Sequence, residues 1–186
     1  MFILYSVVIG LVVGLLLGGR PSALGSIQFR FGWLIGLGFA VQILLFSTPL
    51  TDRVGDLGPP LYVLSTGLVF AGLLANVRIT GLPIVAIGAA CNLAAIVANG
   101  GYMPASPAAL AAAGMGPVGG YSNSTVMADP RLAFLTDQYA LPTWLPFPNV
   151  YSIGDVLIGL GIVVAIAAAM RRRPPVETGE GTLTPT

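Results

Sequence analysis

Histidine is absent from this chain of 186 residues, which removes the commonest metal ligand and the commonest proton shuttle of neutral pH. Cysteine occurs once, at Cys91, so the chain forms no disulfide framework and no cysteine-based metal site. Charge is scarce too: Asp, Glu, Lys and Arg make up 8% of residues, against about 25% in a soluble domain. The net charge is +1, and no basic run is interleaved with aromatics, so nothing argues for a nucleic-acid surface. The start, Met1-Phe-Ile-Leu-Tyr-Ser6, lacks the basic opening of a signal peptide and is followed by no small-residue cleavage site, so it reads as a retained first span. Neither a cofactor nor a metal is read from the sequence. Any chemistry falls to carboxylates, hydroxyls, amides or bound lipid.

What the chain has is apolar length. Apolar residues make up 55% of it and its mean hydropathy is +0.89, the composition of a membrane protein. A span needs about 20 predominantly apolar residues, and five segments come close: 1–18, 31–46, 60–77, 82–99 and 153–170. In the first, Gly10, Gly14 and Gly18 recur every fourth residue, a strip on which another helix packs closely. Gly32 and Gly36 repeat the device in the second. Arginine sets the orientation, because positively charged short loops stay on the cytoplasmic side. Arg20, Arg30, Arg78 and the triplet Arg171–Arg173 all fall on one side of a five-span arrangement. The amino terminus, the Asp52/Arg53/Asp56 loop and the long segment 100–151 fall on the other. The expected object is an all-α, polytopic transmembrane bundle in the cell (inner) membrane, amino terminus outside and carboxyl terminus cytoplasmic. Residues 1–173 form the membrane domain, and 174–186, poor in anything to bury, form a disordered cytoplasmic tail. The alternative, in which residues 1–18 are a cleaved signal, leaves four spans.

The outer segment 100–151 is far longer than the connections usual in compact folds, and such loops are functional or disordered. Ser106-Pro107 followed by an alanine-rich run and Gly114 reads as N-cap, helix and glycine stop. Asp129-Pro130 followed by Arg131–Ala140 and then Leu141-Pro142 reads the same way. Two short helices are therefore expected to cap the outer face. Trp144, Phe147 and Tyr151 lie where an interfacial aromatic belt is expected, just before the last span.

Candidate site residues cluster around that outer face. Ser152-Ile-Gly-Asp155 has the spacing of a capping box, and the acid also meets the positive end of the helix dipole. The same Asp155 is an ionisable group at membrane depth, the kind that tends to mark a site. Asp137, earlier in the chain, reads either as a solvated surface charge or as a second acid that shares a proton with Asp155 if the cap folds over the last span. Asn92 and Asn99 lie seven apart on one face of the fourth span, and asparagine there normally bonds a neighbouring helix, with Gln42 as a possible partner. Asn99-Gly100-Gly101-Tyr102-Met103-Pro104 reads either as an exit turn or as a place of close ligand approach.

Two motifs, Asn99-Gly-Gly-Tyr-Met-Pro104 and Asn149-Val-Tyr-Ser-Ile-Gly-Asp155-Val-Leu-Ile, resemble a family of small bacterial multi-pass membrane proteins of uncharacterised function. A second likeness is to lipoprotein signal peptidases, four-span aspartyl enzymes. Asp137 and Asp155 have a spacing similar to that of their two aspartates, and Pro146-Phe-Pro-Asn-Val150 is similar to the run into their second motif. Ser152 and Gly154 depart from it, standing where that motif has asparagine and alanine. The reading these features favour is a non-enzymatic membrane component, an accessory subunit or a lipid- or partner-binding protein acting in a membrane complex or homo-oligomer. Its contact residues are expected to be Asn99, Gly100, Gly101, Tyr102, Trp144, Phe147, Asn149 and Ser152. The alternatives are an aspartyl hydrolase using Asp137 and Asp155, and a small transporter.

Overall fold

A computed structural model describes residues 2–46, 54–116 and 124–172. The Asp52/Arg53 part of the connection from residue 46 to residue 58, most of the glycine-rich stretch before Ser124, Arg173 and the tail 174–186 lie outside the described residues. The chain is mostly helical. Among the described residues its α-helices are α1 (Phe2–Leu16), α2 (Gly32–Phe46), α3 (Gly58–Leu74), α4 (Leu82–Ala98), α5 (Pro107–Ala112) and α6 (Ile153–Met170). The two-residue strands among the described residues lie in segment 100–151: β1 (Met103–Pro104), β2 (Ser124–Thr125), β3 (Tyr139–Ala140) and β4 (Val150–Tyr151).

Local chemistry sets where these helices start and stop. Prolines occupy the first turn of α3, α4 and α5, where a missing N–H costs no hydrogen bond. Helices α1 and α4 end alike: Gly18 and Gly100 adopt φ of +75° and +70°, and the next amide reaches back five residues, Gly19 to Gly14 O and Gly101 to Ile96 O. This is the Schellman closure, which satisfies carbonyls that the helix leaves open.

Two helices are long and apolar enough to cross a membrane, Gly55–Leu74 (α3 with the 3₁₀ turn before it) and Ile153–Met170, while α1, α2 and α4 are apolar but shorter. Large apolar side chains point outward along these helices, with Leu16 81% and Ile43 66% exposed. A helix apolar on every side needs an apolar surrounding.

The helices form a row. α1 packs along α6, α6 along α4, α4 against α3 and α3 along α2, and no extended interface joins α1 to α2 or to α3. Glycine sits at the closest seams. A Cβ on Gly10 would meet Ile166 and Val163, one on Gly161 would meet Val85 at 2.6 Å, and one on Gly72 would meet Ile35 at 2.5 Å. The expected strips hold in part. Gly10 and Gly14 face α6, but Gly18 is a turn residue with nothing within 4 Å. Gly36 also meets nothing within 4 Å, and Gly32 meets only Phe29. Gly38 carries the α2–α3 contact instead, against Ser65 O and Val69. Two residues are about 200° of helix turn, so Gly36 and Gly38 point in nearly opposite directions.

The cap differs from the expected pair of helices. α5 forms between Ser106 and the stop at Gly114 (φ +67°), although the Ser106 side chain makes no capping hydrogen bond. After Asp129-Pro130 there is one 3₁₀ turn, Ala133–Leu135, preceded by Leu132 in the left-handed region. The reason is competition for backbone hydrogen bonds. Asp137 N–H donates to Pro104 O, and Ser106 N–H donates to Asp137 O, each at 2.9 Å. That places Asp137 in a parallel bridge with Ala105, a pairing a helix would forbid. β1 pairs parallel with β2, and β3 pairs antiparallel with β4. The outer segment is therefore one short helix laced to short extended pieces around Ala105, Ala109, Ala113 and Val150.

Candidate functional site

The start of α6 carries a cluster of polar side chains bonded to one another. Ser152, fully buried, caps the helix: its Oγ accepts from Asp155 N–H at 3.0 Å, and its own N–H donates to Asp155 Oδ2 at 2.9 Å. Both halves of the capping box are present. Asn92 joins from α4, donating through Nδ2 to Asp155 Oδ1 at 2.8 Å. The Ser152 hydroxyl has one proton and two acceptors in range, Asn92 Oδ1 at 2.8 Å and Asp155 Oδ2 at 3.1 Å. The shorter contact gives the proton to Asn92, which closes a ring of hydrogen bonds through Ser152, Asp155 and Asn92. Gly154 makes room for it, since a Cβ there would overlap Asn92 Oδ1.

Asp137 is brought to the same place from the outer segment. It is 5% exposed, so it is not a solvated surface charge. A cavity of about 440 Å³ is lined by Asp137, Asp155, Asn92 and Asn149 together with Phe2, Ile3, Leu4 and Val7 of α1. A second cavity, about 380 Å³, shares Ile3, Tyr62, Asn92, Ile96 and Asp155 with the first. It continues between the helices, walled by Ile35 and Phe39 of α2, Val69 and Leu73 of α3, Leu82 and Ala89 of α4, and Ile158 and Ile162 of α6. All five long helices thus face one hollow, and the row curls around it. No basic side chain lines either cavity among the described residues, and every described arginine is exposed.

The other sequence candidates have separate places. Asn99 is a clamp: its Oδ1 accepts from Arg131 N–H at 2.8 Å, and its Nδ2 donates to Arg131 O at 2.9 Å and Ala95 O at 2.8 Å. It ties the outer segment to the end of α4 and does not line either cavity. Gly100 and Gly101 make the exit turn beside it, and a Cβ on Gly101 would meet Pro59 at 2.5 Å. Tyr102 is half-buried next to them. Trp144 and Phe147 project outward, Trp144 being 79% exposed, on a loop reached by the Tyr5 hydroxyl, which donates to Pro146 O. Gln42 bonds Thr66 at 3.2 Å rather than Asn92.

Sequence reasoning missed Asn76. It is buried just past α3 and clamps Arg30 as Asn99 clamps Arg131: Oδ1 accepts from Arg30 N–H at 2.8 Å, and Nδ2 donates to Arg30 O and Gly72 O, each at 2.7 Å. Its position two residues before Arg78 resembles a polar helix end, and only the long-range pairing identifies it. The stack of Phe2 on Tyr151 (4.6 Å) and of Tyr151 on Tyr139 (5.6 Å), which docks the start of α1 on the outer segment, was equally invisible in one dimension.

Residues 26–167 match the family described as "Family of unknown function (DUF5317)", and the chain belongs to it. No curated protein and no solved structure matches the chain.

Proposed function

We propose that this DUF5317 member is a non-enzymatic component of the cell membrane that crosses it five times, amino terminus outside, and presents its outer segment to a membrane partner. The observation that carries this reading is the state of Asp155. Its carboxylate accepts from Ser152 N–H and from Asn92 Nδ2, so both oxygens are engaged in starting a helix and joining it to α4. A general acid or nucleophile must take up a proton or leave its hydrogen bonds during the reaction, and this carboxylate is pinned by the donors that start α6 and join it to α4. Support for the membrane comes from the large apolar side chains left exposed along the long helices, such as Leu16, Ile43, Leu64, Ile87 and Leu160. The orientation draws on arginine: Arg20, Arg30 and Arg78 lie exposed in the connections on the α1 carboxyl-terminal side. The contact surface is the loop bearing Trp144 and Phe147, aromatic side chains of the kind enriched at interfaces.

A second reading, an aspartyl hydrolase, draws on one specific observation: Asp137 and Asp155 line the same cavity. Substitution separates the two. The chain is purified gently from its native membrane as wild type, Asp155→Asn and Trp144→Ala/Phe147→Ala, and its bound proteins are identified by mass spectrometry. The component reading expects a stoichiometric partner on wild type and Asp155→Asn that is lost from the double aromatic variant. Recovery of wild type without a protein partner, together with cleavage of an added lipopeptide that Asp155→Asn abolishes, would overturn it in favour of the hydrolase.

A further inference from the structure

Two joined cavities make an amphiphilic hollow. The outer one is lined by the acids Asp137 and Asp155, by Asn92 and Asn149, and by no basic residue among the described ones. The inner one is lined mostly by Ile, Leu, Val, Ala and Phe, with Gln42, Tyr62 and Thr66 the polar residues besides Asn92 and Asp155 among the described ones. On α4 its lining runs from Asn92 to Leu82, ten residues or about 15 Å at 1.5 Å each. At about 380 Å³ it lies within the size range of small-molecule sites, about 300–1,000 Å³. Polar lining sits at the outer end, where α6 begins and α4 closes; the apolar lining extends toward the arginine-bearing end of the bundle.

We propose that this hollow binds a membrane lipid whose head presents an ammonium group, with one hydrocarbon chain along the inner cavity and the ammonium beside Asp137 and Asp155. Charge selects the head. Two carboxylates in a partly dehydrated site repel phosphate or carboxylate and attract a cation, because Coulomb energies grow as the effective dielectric falls. The Asp155 ring leaves oxygen lone pairs for a further donor, since a carboxylate accepts at about four sites. Apolar lining selects the chain: the inner cavity lies between helices and is walled mostly by apolar side chains, Ile35, Val69, Leu73 and Ile158 among them. Access follows from the helix row, because α1 and α2, the two ends of that row, share no extended interface. Ile3 from α1 and Phe39 from α2 both line the inner cavity. A lipid enters sideways from the bilayer through that seam, its chain never leaving an apolar medium.

The inference rests on the membrane reading above, and the experiment keeps the two apart. Membranes carrying the full chain are first extracted with alkaline carbonate. Release of the protein would sink the membrane reading, and this inference with it. The retained protein is then purified in dodecyl maltoside and titrated with oleylamine and with oleic acid, which share a chain and differ in head charge, and adducts are counted by native mass spectrometry. Wild type is expected to prefer the amine at least about tenfold. Ala89→Phe, which fills the inner cavity, is expected to lose binding of both. Asn149→Lys, which puts a cation at the polar end without touching the capping ring, is expected to cancel or invert the preference. Equal binding of amine and acid by wild type, or an unchanged preference in Asn149→Lys, overturns the assignment of the head. Unchanged amine binding in a folded Ala89→Phe protein overturns the assignment of the chain.

Discussion

Exchanging Asn92 and Asp155 tests the ring at the start of α6 by its donor and acceptor count. Asn92→Asp alone sets an oxygen where Nδ2 now donates to Asp155 Oδ1 at 2.8 Å. The seam loses a hydrogen bond to a charged group, worth about 1.5–3 kcal/mol, and gains a pair of like charges, for an expected destabilisation of about 2–4 kcal/mol. Asp155→Asn alone is milder. Its Oδ1 still accepts from Ser152 N–H, and rotation of the Asn92 amide turns Oδ1 toward the new Nδ2, while the Ser152 hydroxyl accepts from Asn92 and redirects its proton. Only charge assistance and dipole complementarity are lost, about 1 kcal/mol. In the double variant every group is again satisfied: residue 155 donates to residue 92, and the Ser152 hydroxyl donates to the other oxygen of residue 92. The double should therefore lie within about 1 kcal/mol of wild type, about 2–4 kcal/mol better than the sum of the single changes, at or above the upper end of coupling energies between contacting residues. Unfolding by SDS titration in mixed micelles, followed by circular dichroism, measures all four proteins. Additivity within about 0.5 kcal/mol would refute the ring.

Other perturbations separate neighbouring residues of one type. Gly38→Leu should cost about 1–3 kcal/mol or more by driving α2 from α3, whereas Gly36→Leu, facing open space, should change stability by less than about 0.5 kcal/mol in the same titration. Equal effects would mean that the α2–α3 seam is misplaced. Asn76→Ala leaves the Arg30 amide and carbonyl without their partners and should cost about 2–4 kcal/mol, with faster hydrogen exchange at the Arg30 amide. Asn99→Ala should instead speed exchange in residues 131–137 while bundle unfolding moves by under about 1 kcal/mol, because its bonds hold a surface segment and no helix seam. A slowed or unchanged Arg131 amide would contradict the clamp.

The sequence carried the helices and the N-cap well because those depend on neighbours. Apolar runs, the prolines before α3 and α5, the glycine stop at Gly114 and the Ser152–Asp155 spacing are local signals that correspond to observed elements, while the Asp129-Pro130 opening does not. What it could not carry was choice among distant partners. Residues 131–140 have a helix's opening and closing marks, yet the backbone of Asp137 pairs with Pro104 and Ser106, an option open only once α4 delivers residues 103–106 to the same place. Gly36 and Gly38 differ by one step of pattern, and the direction of α3 decides which of them matters. That Asp137 and Asp155 meet one cavity followed from the bridge at Ala105 and not from their separation in sequence, since the expected cap helix was not the element that brought them there.

The number of membrane crossings and the side on which each connection falls are tested most directly by labelling. With Cys91 replaced by alanine, single cysteines are placed at Ala128 in the outer segment and at Thr80 in the connection between α3 and α4, and intact cells are treated with a membrane-impermeant maleimide. The five-span account predicts that Ala128→Cys is labelled in intact cells and Thr80→Cys only after the membrane is opened. Labelling of both from the same side in intact cells would contradict it.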